Sequence, residues 1–351
     1  MNVFRWSQVF PFVMALSLWA QPESLGPSSG LVNIDGIVFS SRTGKTYVVD
    51  PEHGGVAVVM AGSVTKELKT GAGAVSIGVN ERSGKVYVAN SGDNSVAVVD
   101  GDKDQRIATV HTAGRPYAIA VDEQSDRVYV SNTFSDELTV IDGKTNTATN
   151  VKAGSSDAIL VMPSRSEVYL LGYESDSLKL LKEETQAISK IPTGITHLWG
   201  MVALGKTLYV AHMQDATVAA IDMETHTVRE IPTPGMPAAL AVDAERKEIY
   251  VACYGDGSVS AIDSRLGTVI WTVKLGGHPQ ALVVDTERRL IYVANAQGHM
   301  VNVINAAKAK LMKTYVVAGS PYALALDIRT HRVVAATMGQ TAYAVIPQIA
   351  R

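Results

Sequence analysis

The stretch that decides the fold is KVYVANSGDNSVAVVDG, residues 85 to 101. It consists of two short apolar runs separated by Ser, Gly, Asn and Asp, which is the pattern of a β-hairpin. Nearly the same phrase returns as RVYVSNTFSDELTVIDG (127–143), EIYVACYGDGSVSAIDS (248–264) and LIYVANAQGHMVNVINA (290–306). A hairpin that recurs along a chain indicates a repeat architecture.

The copies are evenly spaced. The tyrosine of each copy falls at Tyr47, Tyr87, Tyr129, Tyr169, Tyr209, Tyr250 and Tyr292, and Val334 holds the same register in an eighth copy. Successive copies are 40 to 42 residues apart. In the third copy the unit divides into YAIAVD, RVYVSN, ELTVID and TATNVK, with short polar turns between them. Each unit is therefore predicted to be four sequential antiparallel strands.

The composition of the strands predicts how the units pack. The inner strands are apolar at consecutive positions, as in VYV and VAVV, so both faces of each small sheet are expected to be covered. The fourth strands, such as QRIATV, carry more charge, as outer edge strands do. Small sheets repeated every ~40–45 residues and buried on both faces are blades of a β-propeller. We expect an all-β propeller of eight blades, the last lacking its fourth strand, with a seven-bladed ring as the alternative.

At this point the chain resembles the YVTN-repeat β-propellers over residues 31 to about 347. The resemblance depends on the Tyr-Val-Ala/Ser-Asn strand, the V-x-V-I/V-D strand and the G-x-P connection, found at 114–116, 235–237, 277–279 and 319–321. Blades four and five depart from it, since Gly172 replaces the Asn and GMVALGKTLYV, residues 200–210, has a shortened first turn. The resemblance implies export to the bacterial periplasm or cell surface. It implies no single activity, because propellers serve many functions.

The first 30 residues differ from the repeat. Arg5 precedes an apolar stretch from Val9 to Trp19 with one polar residue, Ser17, and Ala20 is a small residue at a cleavage position, which together predict a signal peptide over residues 1–20. A stretch of this length cannot cross a ~30 Å hydrocarbon core. Residues 21–30 are predicted to be a flexible linker and residues 31–351 the propeller. The protein is expected to be periplasmic or extracellular, with no membrane span in the mature chain.

Composition limits the function classes. The chain has 31 Lys and Arg against 34 Asp and Glu, a net charge of −3, and shows no basic stripe, which argues against nucleic-acid binding driven by charge. Cys253 is the single cysteine, so the fold forms without an internal disulfide. No nucleophile elbow or phosphate loop is present. No catalytic residue and no cofactor are predicted.

Candidate binding residues lie where the fourth strand of one blade leads into the first strand of the next. Together with the turns between second and third strands, these connections form one side of a propeller, which we call the loop face. When these connections are aligned, the flanking residues barely change, but the side chains at two nearby positions differ from blade to blade. The candidates are Arg115, Tyr117, Asp157, His197, Trp199, His278, Gln280 and Tyr322. Unconstrained loop positions are an equally good interpretation of this variation.

The same residues are compatible with a metal site and with several classes of function. His197, His212 and His278 are weak candidates for a metal site, because imidazole is a common ligand but no HxH or HExxH spacing occurs. The favoured function is an exported binding or scaffold protein that recognises a protein, peptide or glycan on the loop face. The alternatives are a periplasmic enzyme over the central channel, either a lactonase-like hydrolase or a cofactor-holding oxidoreductase, and a single-stranded nucleic-acid binder that stacks bases on aromatic side chains.

Overall fold

The structure is a computed structural model that describes residues 36–50, 54–172, 175–194, 197–339 and 341–349. The predicted signal peptide and linker lie outside the described residues. Within the described part of the chain, no helix is long and apolar enough to cross a membrane. The helical element described is a single short 3₁₀ turn, Pro163–Arg165.

The described strands form eight antiparallel sheets arranged as the blades of a propeller. Blades 1 to 4 consist of β1 to β4 (Ile37–Ser40, Lys45–Asp50, Gly55–Met60, Ser63–Lys69), β5 to β8 (Ala74–Asn80, Lys85–Asn90, Ser95–Asp100, Gln105–His111), β9 to β12 (Pro116–Asp122, Arg127–Asn132, Glu137–Asp142, Thr147–Lys152) and β13 to β16 (Ala158–Met162, Glu167–Leu171, Ser177–Lys182, Ala187–Pro192). Blades 5 to 8 consist of β17 to β20 (Leu198–Leu204, Thr207–His212, Thr217–Asp222, Val228–Pro232), β21 to β24 (Pro237–Asp243, Glu248–Cys253, Ser258–Asp263, Thr268–Lys274), β25 to β28 (Pro279–Asp285, Leu290–Asn295, Met300–Asn305, Lys310–Val316) and β29 to β31 (Ser320–Asp327, Arg332–Met338, Tyr343–Ile346). The all-β class and the eight blades are confirmed.

The ring closes by packing of side chains between blade 8 and blade 1. The inner strands β29 and β1 contact each other, and the Arg329 guanidinium lies 5.8 Å from the centroid of the Phe39 ring. Among the described residues, blade 8 contains three strands, in the order β29-β30-β31, whereas each of the other seven contains four.

In blades 1 and 3 the hydroxyl of the repeated tyrosine joins neighbouring blades, whereas in blades 4 and 6 it bonds to a glutamate of its own strand. The ring of Tyr129 is fully buried, and its hydroxyl donates to Glu183 Oε1 of the next blade at 2.5 Å. In blade 1, Tyr47 donates to the carbonyl of Gly101, again in the next blade, at 3.1 Å. Lys45 Nζ donates to the same carbonyl at 2.8 Å. The second strand of one blade therefore holds the turn after the third strand of the next.

The same contact restricts the side chain at Gly101 in blade 2. A Cβ atom there would lie 2.7 Å from the carbonyl oxygen of Gly84 in the same blade and 3.2 Å from the Tyr47 hydroxyl of blade 1. The backbone of this turn is therefore too close to both groups for a side chain at position 101. We call this side of the ring, with its first-to-second and third-to-fourth strand turns, the turn face.

Candidate functional site

A β-bulge positions the predicted row of variable residues. In blade 7 Pro279 pairs with Asn295 and Ala281 with Ala294, so Gln280 is the extra residue. The same irregularity occurs in blades 2, 3, 5, 6 and 8, at Val75, Tyr117–Ala118, Trp199–Gly200, Ala238 and Tyr322. Bulges bend a strand and redirect the side chain they carry. Each bulge lies at the loop-face end of the innermost strand, beside the channel.

The bulge side chains pack mainly between blades. Gln280 is 6% exposed and its Nε2 donates to the carbonyl of Pro321 in blade 8 at 2.9 Å. Tyr322 is 8% exposed and fills the space left by Gly36 of blade 1. Trp199 is 9% exposed and belongs to the largest apolar core cluster. These three side chains therefore join blades more than they present a surface, and Trp199 and Tyr322 do not offer open rings on which bases could stack.

Blade 4 is built differently. Its first strand pairs with the second in regular register, and the Asp157 amide donates to the carbonyl of Leu171 at 2.7 Å. Asp157 is half-buried. Nearby, Lys179 Nζ donates to the Ser155 carbonyl at 2.7 Å, and burial, assisted by the charge of Lys190, lowers the pKa of Lys179.

The most exposed aromatic side chain described lies on the loop face of blade 3. Phe134 is 74% exposed, and the Arg115 guanidinium lies 5.1 Å from the centroid of its ring. The Thr133 amide donates to the Arg115 carbonyl at 2.9 Å, which ties the two loops together. Tyr117 is half-buried beside them and packs on the core. Arg115 and Phe134 thus form a cation–π pair open to solvent.

A second aromatic pair lies on the loop face at the junction of blades 6 and 7. The rings of Tyr254 and His278 stack with centroids 4.4 Å apart and an interplanar angle of 23°. The Tyr254 amide donates to the Met236 carbonyl at 2.8 Å. Both aromatic side chains are half-buried. His278, predicted as a site residue, therefore stacks on Tyr254, which was not among the predicted residues.

The histidines proposed for a metal do not all lie together, because His197 and His212 are neighbours in blade 5 but His278 leads into blade 7. His212 is 1% exposed, with Nδ1 3.3 Å from the Thr217 hydroxyl and Nε2 3.3 Å from Asp215 Oδ2. His197 lies in blade 5 at a left-handed position (φ 59°), whereas His278 lies two blades further on. Among the described residues, no three His, Cys, Asp or Glu side chains form a set that could hold a metal ion.

Cys253 is a packed core residue. It is fully buried, and its Sγ lies 3.9 Å from the Val251 carbonyl oxygen. Burial raises the pKa of the thiol to about 12, so the reactive thiolate is scarce at neutral pH.

We expect Cys253 to be unreactive towards a thiol-specific disulfide reagent in the folded protein at pH 8, and to react with one equivalent in denaturant. The physical reason is its burial together with the raised pKa. Fast reaction in the folded state, at the rate of a small free thiol, would contradict the buried placement.

Comparison with known proteins places the fold. No curated protein matches the chain in sequence. Among solved structures, hydrazine synthase from Kuenenia stuttgartiensis is similar, with 18% identity and a TM-score of 0.64 over 80% of this chain and 98% of that chain. The computationally designed protein Ika8 has 13% identity and a TM-score of 0.73 over 93% and 99% of the two chains. Dihydro-heme d1 dehydrogenase NirN in complex with DHE has 14% identity and a TM-score of 0.69 over 86% and 78%.

At these identities the structural likeness shows the fold alone. A family model describes the chain more directly. The model of the YNCE-like beta-propeller matches residues 56–325, from the third strand of blade 1 to the first strand of blade 8. That span contains most of the chain and its repeated tyrosine strands. The protein belongs to the YNCE-like beta-propeller family.

Proposed function

We propose that the protein is an exported binding protein that recognises a polypeptide ligand on its loop face. The observation that carries this proposal is the exposure of Phe134 under the Arg115 guanidinium. Only two phenylalanines lie beyond residue 20, and the other, Phe39, is 3% exposed in the core. An exposed aromatic ring beside an arginine offers the two residue types that are enriched at the energetic centres of protein interfaces.

The chemistry of the two aromatic pairs supports a polypeptide ligand. Aromatic residues and arginine dominate the binding energy of protein interfaces, because they offer large rigid contact area together with hydrogen-bond donors. Arg115–Phe134 lies on blade 3, and Tyr254–His278 lies at the junction of blades 6 and 7. A ligand that contacts both pairs would cross the central channel, as an extended or folded polypeptide is able to do.

The proposal predicts the effect of Phe134→Ala on binding. A ligand is first selected from a displayed peptide library against the mature protein, with a glycan array run in parallel. We expect Phe134→Ala to weaken the selected peptide by about 2 kcal/mol, or roughly 30-fold, as for an aromatic hot spot. Calorimetric titration of both variants provides the measurement.

The matched control is Leu266→Ala. Leu266 is also strongly exposed, at 64%, but it lies on the turn face of blade 6. We expect it to leave affinity unchanged. Equal losses for the two variants, or hits on the glycan array alone, would contradict a polypeptide site at Phe134.

The export part of the proposal rests on the sequence of residues 1–20. We expect the protein recovered from the periplasm or medium of an expressing bacterium to begin at Gln21, because Ala20 is the small residue at the cleavage position. N-terminal sequencing provides the test. Intact Met1 in all of the recovered protein, found only in the cytoplasm, would contradict export.

A further inference from the structure

Blade 4 holds its entry loop, the connection from the previous blade, with a lysine where blade 7 uses an asparagine. In blade 7, Asn295 at the end of the second strand donates from Nδ2 to the carbonyl of Gly276 in the entry loop at 2.7 Å. Gly172 occupies the position of that asparagine in blade 4. There, Lys179 Nζ of the third strand donates to the Ser155 carbonyl at 2.7 Å. A flexible amine therefore lies under the entry loop of this blade.

The amine lies at the joint between blades 3 and 4. Lys179 pairs with Leu170 of β14, so their side chains share one face of the sheet. Leu170 and Leu181 on this face are buried in the apolar cluster that also contains Tyr129 of blade 3. A Cβ atom on Gly154 would lie 2.7 Å from Lys179 Nζ, so the loop passes directly over the amine. Lys179 is therefore half-buried, with its stem beside apolar side chains.

A second lysine lies beside the first. Lys190 of β16 is the direct partner of Lys179 in the register of the two strands, and it is exposed. Side chains paired in this way lie on one face, where like charges repel each other. Burial, followed by the charge of Lys190, lowers the pKa of Lys179, against the opposing charges of Asp136 and Asp157. More of this amine is therefore neutral at a given pH than of an ordinary lysine, and the neutral amine still has N–H groups to donate to Ser155.

We propose that Lys179 is a nucleophilic amine that captures an aldehyde or ketone ligand as an imine on the loop face of blade 4. The neutral nitrogen attacks the carbonyl carbon and forms a C–N bond, while a proton passes from nitrogen to oxygen. Loss of that oxygen as water then gives the C=N bond, so neither an oxidant nor a reductant is consumed. A desolvated lysine next to a second cation is an arrangement that activates an amine for this reaction. The Lys190 ammonium is the adjacent acid that can protonate the leaving hydroxyl, and the proton lost from nitrogen restores it.

The amine lies near the proposed polypeptide site but does not depend on it. The amides of Ala153 and Gly154 donate to the Asp136 carbonyl at 2.9 and 2.8 Å, which ties the loop over Lys179 to the turn that carries Phe134. Imine formation needs neither the Phe134 ring nor a polypeptide. We therefore expect Phe134→Ala to leave the reaction of Lys179 unchanged, so the two proposals are tested separately.

The test measures imine formation at each lysine of the mature full-length protein. The protein is incubated at neutral pH with propanal and cyanoborohydride, which reduces each imine to a stable secondary amine, and the rates are measured by peptide mass spectrometry. We expect Lys179 to be modified at least about five-fold faster than Lys182, an exposed lysine of the same strand. Exposure alone predicts the opposite order, because Lys179 is half-buried. Equal or slower modification of Lys179 overturns the proposal.

Two charge variants isolate the effect of the neighbouring cation. Lys190→Gln removes the charge that favours the neutral amine, so it is expected to lower the rate at Lys179 about three-fold. Lys182→Gln changes the net charge equally and is expected to leave that rate unchanged. Melting curves of both variants verify that they are folded at the temperature of the reaction.

The pH dependence of the parent protein provides a readout that a purely structural lysine would not change. We expect the rate at Lys179 to level off at a lower pH than the rate at Lys182, because the pKa of Lys179 is lowered. The same pH dependence at both lysines, or equal effects of Lys190→Gln and Lys182→Gln on the rate at Lys179, overturns the proposal.

Discussion

Tyr129→Ala is expected to lower the free energy of unfolding by about 3–5 kcal/mol, the usual cost of removing a buried aromatic ring. The Tyr129 ring is fully buried in the core cluster between blades 3 and 4, and its hydroxyl donates to Glu183 Oε1 at 2.5 Å. Glu183 is 6% exposed, and burial raises the pKa of its carboxyl group. The substitution therefore leaves a cavity and removes a donor from a buried acid.

Two control variants separate these contributions. Tyr129→Phe keeps the ring and removes the hydroxyl, so it is expected to cost about 1–2 kcal/mol. Phe134→Ala removes an aromatic ring that is 74% exposed in the next turn and should stay within about 0.5 kcal/mol of the parent protein. Urea denaturation of the three variants gives the comparison. Equal losses for Tyr129→Ala and Phe134→Ala would contradict the packing of the repeated tyrosine between blades.

Trp199→Ala is expected to cost a similar amount, about 3–5 kcal/mol. Trp199 is 9% exposed at the bulge of blade 5 and packs in the largest core cluster of the ring. Removal of the Trp199 ring leaves a cavity in the packing beside the channel, so we expect a large drop in melting temperature.

The matched variant is His278→Ala, which removes a half-buried ring on the same face. It is expected to lower the melting temperature much less. Thermal melting of both variants, with the binding measurement repeated at a temperature where both are folded, distinguishes packing from ligand contact. Lost binding by Trp199→Ala at an unchanged melting temperature would contradict its placement in the core.

The fold follows from the sequence because the repeat signals it many times over. Consecutive apolar residues around Tyr87 and Tyr129 indicate sheets that are covered on both faces. A single turn is harder to interpret. Asp93 lies in a polar turn, where the sequence suggests an exposed residue with no structural role. Its carboxylate nevertheless accepts hydrogen bonds from the Ala72 amide at 3.0 Å and from the Ser95 hydroxyl at 2.6 Å.

The sequence predicts which positions of the candidate site are equivalent between blades, but not how exposed their side chains are. Alignment brought Tyr117, Gln280 and Tyr322 to equivalent positions, and those positions are indeed matching bulges. Whether a bulge side chain enters the joint between blades depends on the neighbouring blade, as with Gly36 beneath Tyr322. Sequence position alone does not contain that information.

Phe134 and Tyr254 were missed for a related reason. Both lie in the turns between second and third strands. Most positions of these turns vary from blade to blade, so no single variable position stands out. The residue type alone could have indicated these two positions, because an aromatic residue is unusual in a turn that otherwise contains Gly, Ser, Asn and Asp.

Hydroxyl-radical footprinting of the mature protein, with and without the selected peptide, tests the loop-face site most directly. Phe134 and Leu266 are both strongly exposed and lie on opposite faces, so each serves as the reference for the other. The proposed site predicts that bound peptide slows oxidation of Phe134 and Tyr254 and leaves Leu266 unchanged. Protection of Leu266 with Phe134 oxidised at its original rate would contradict it.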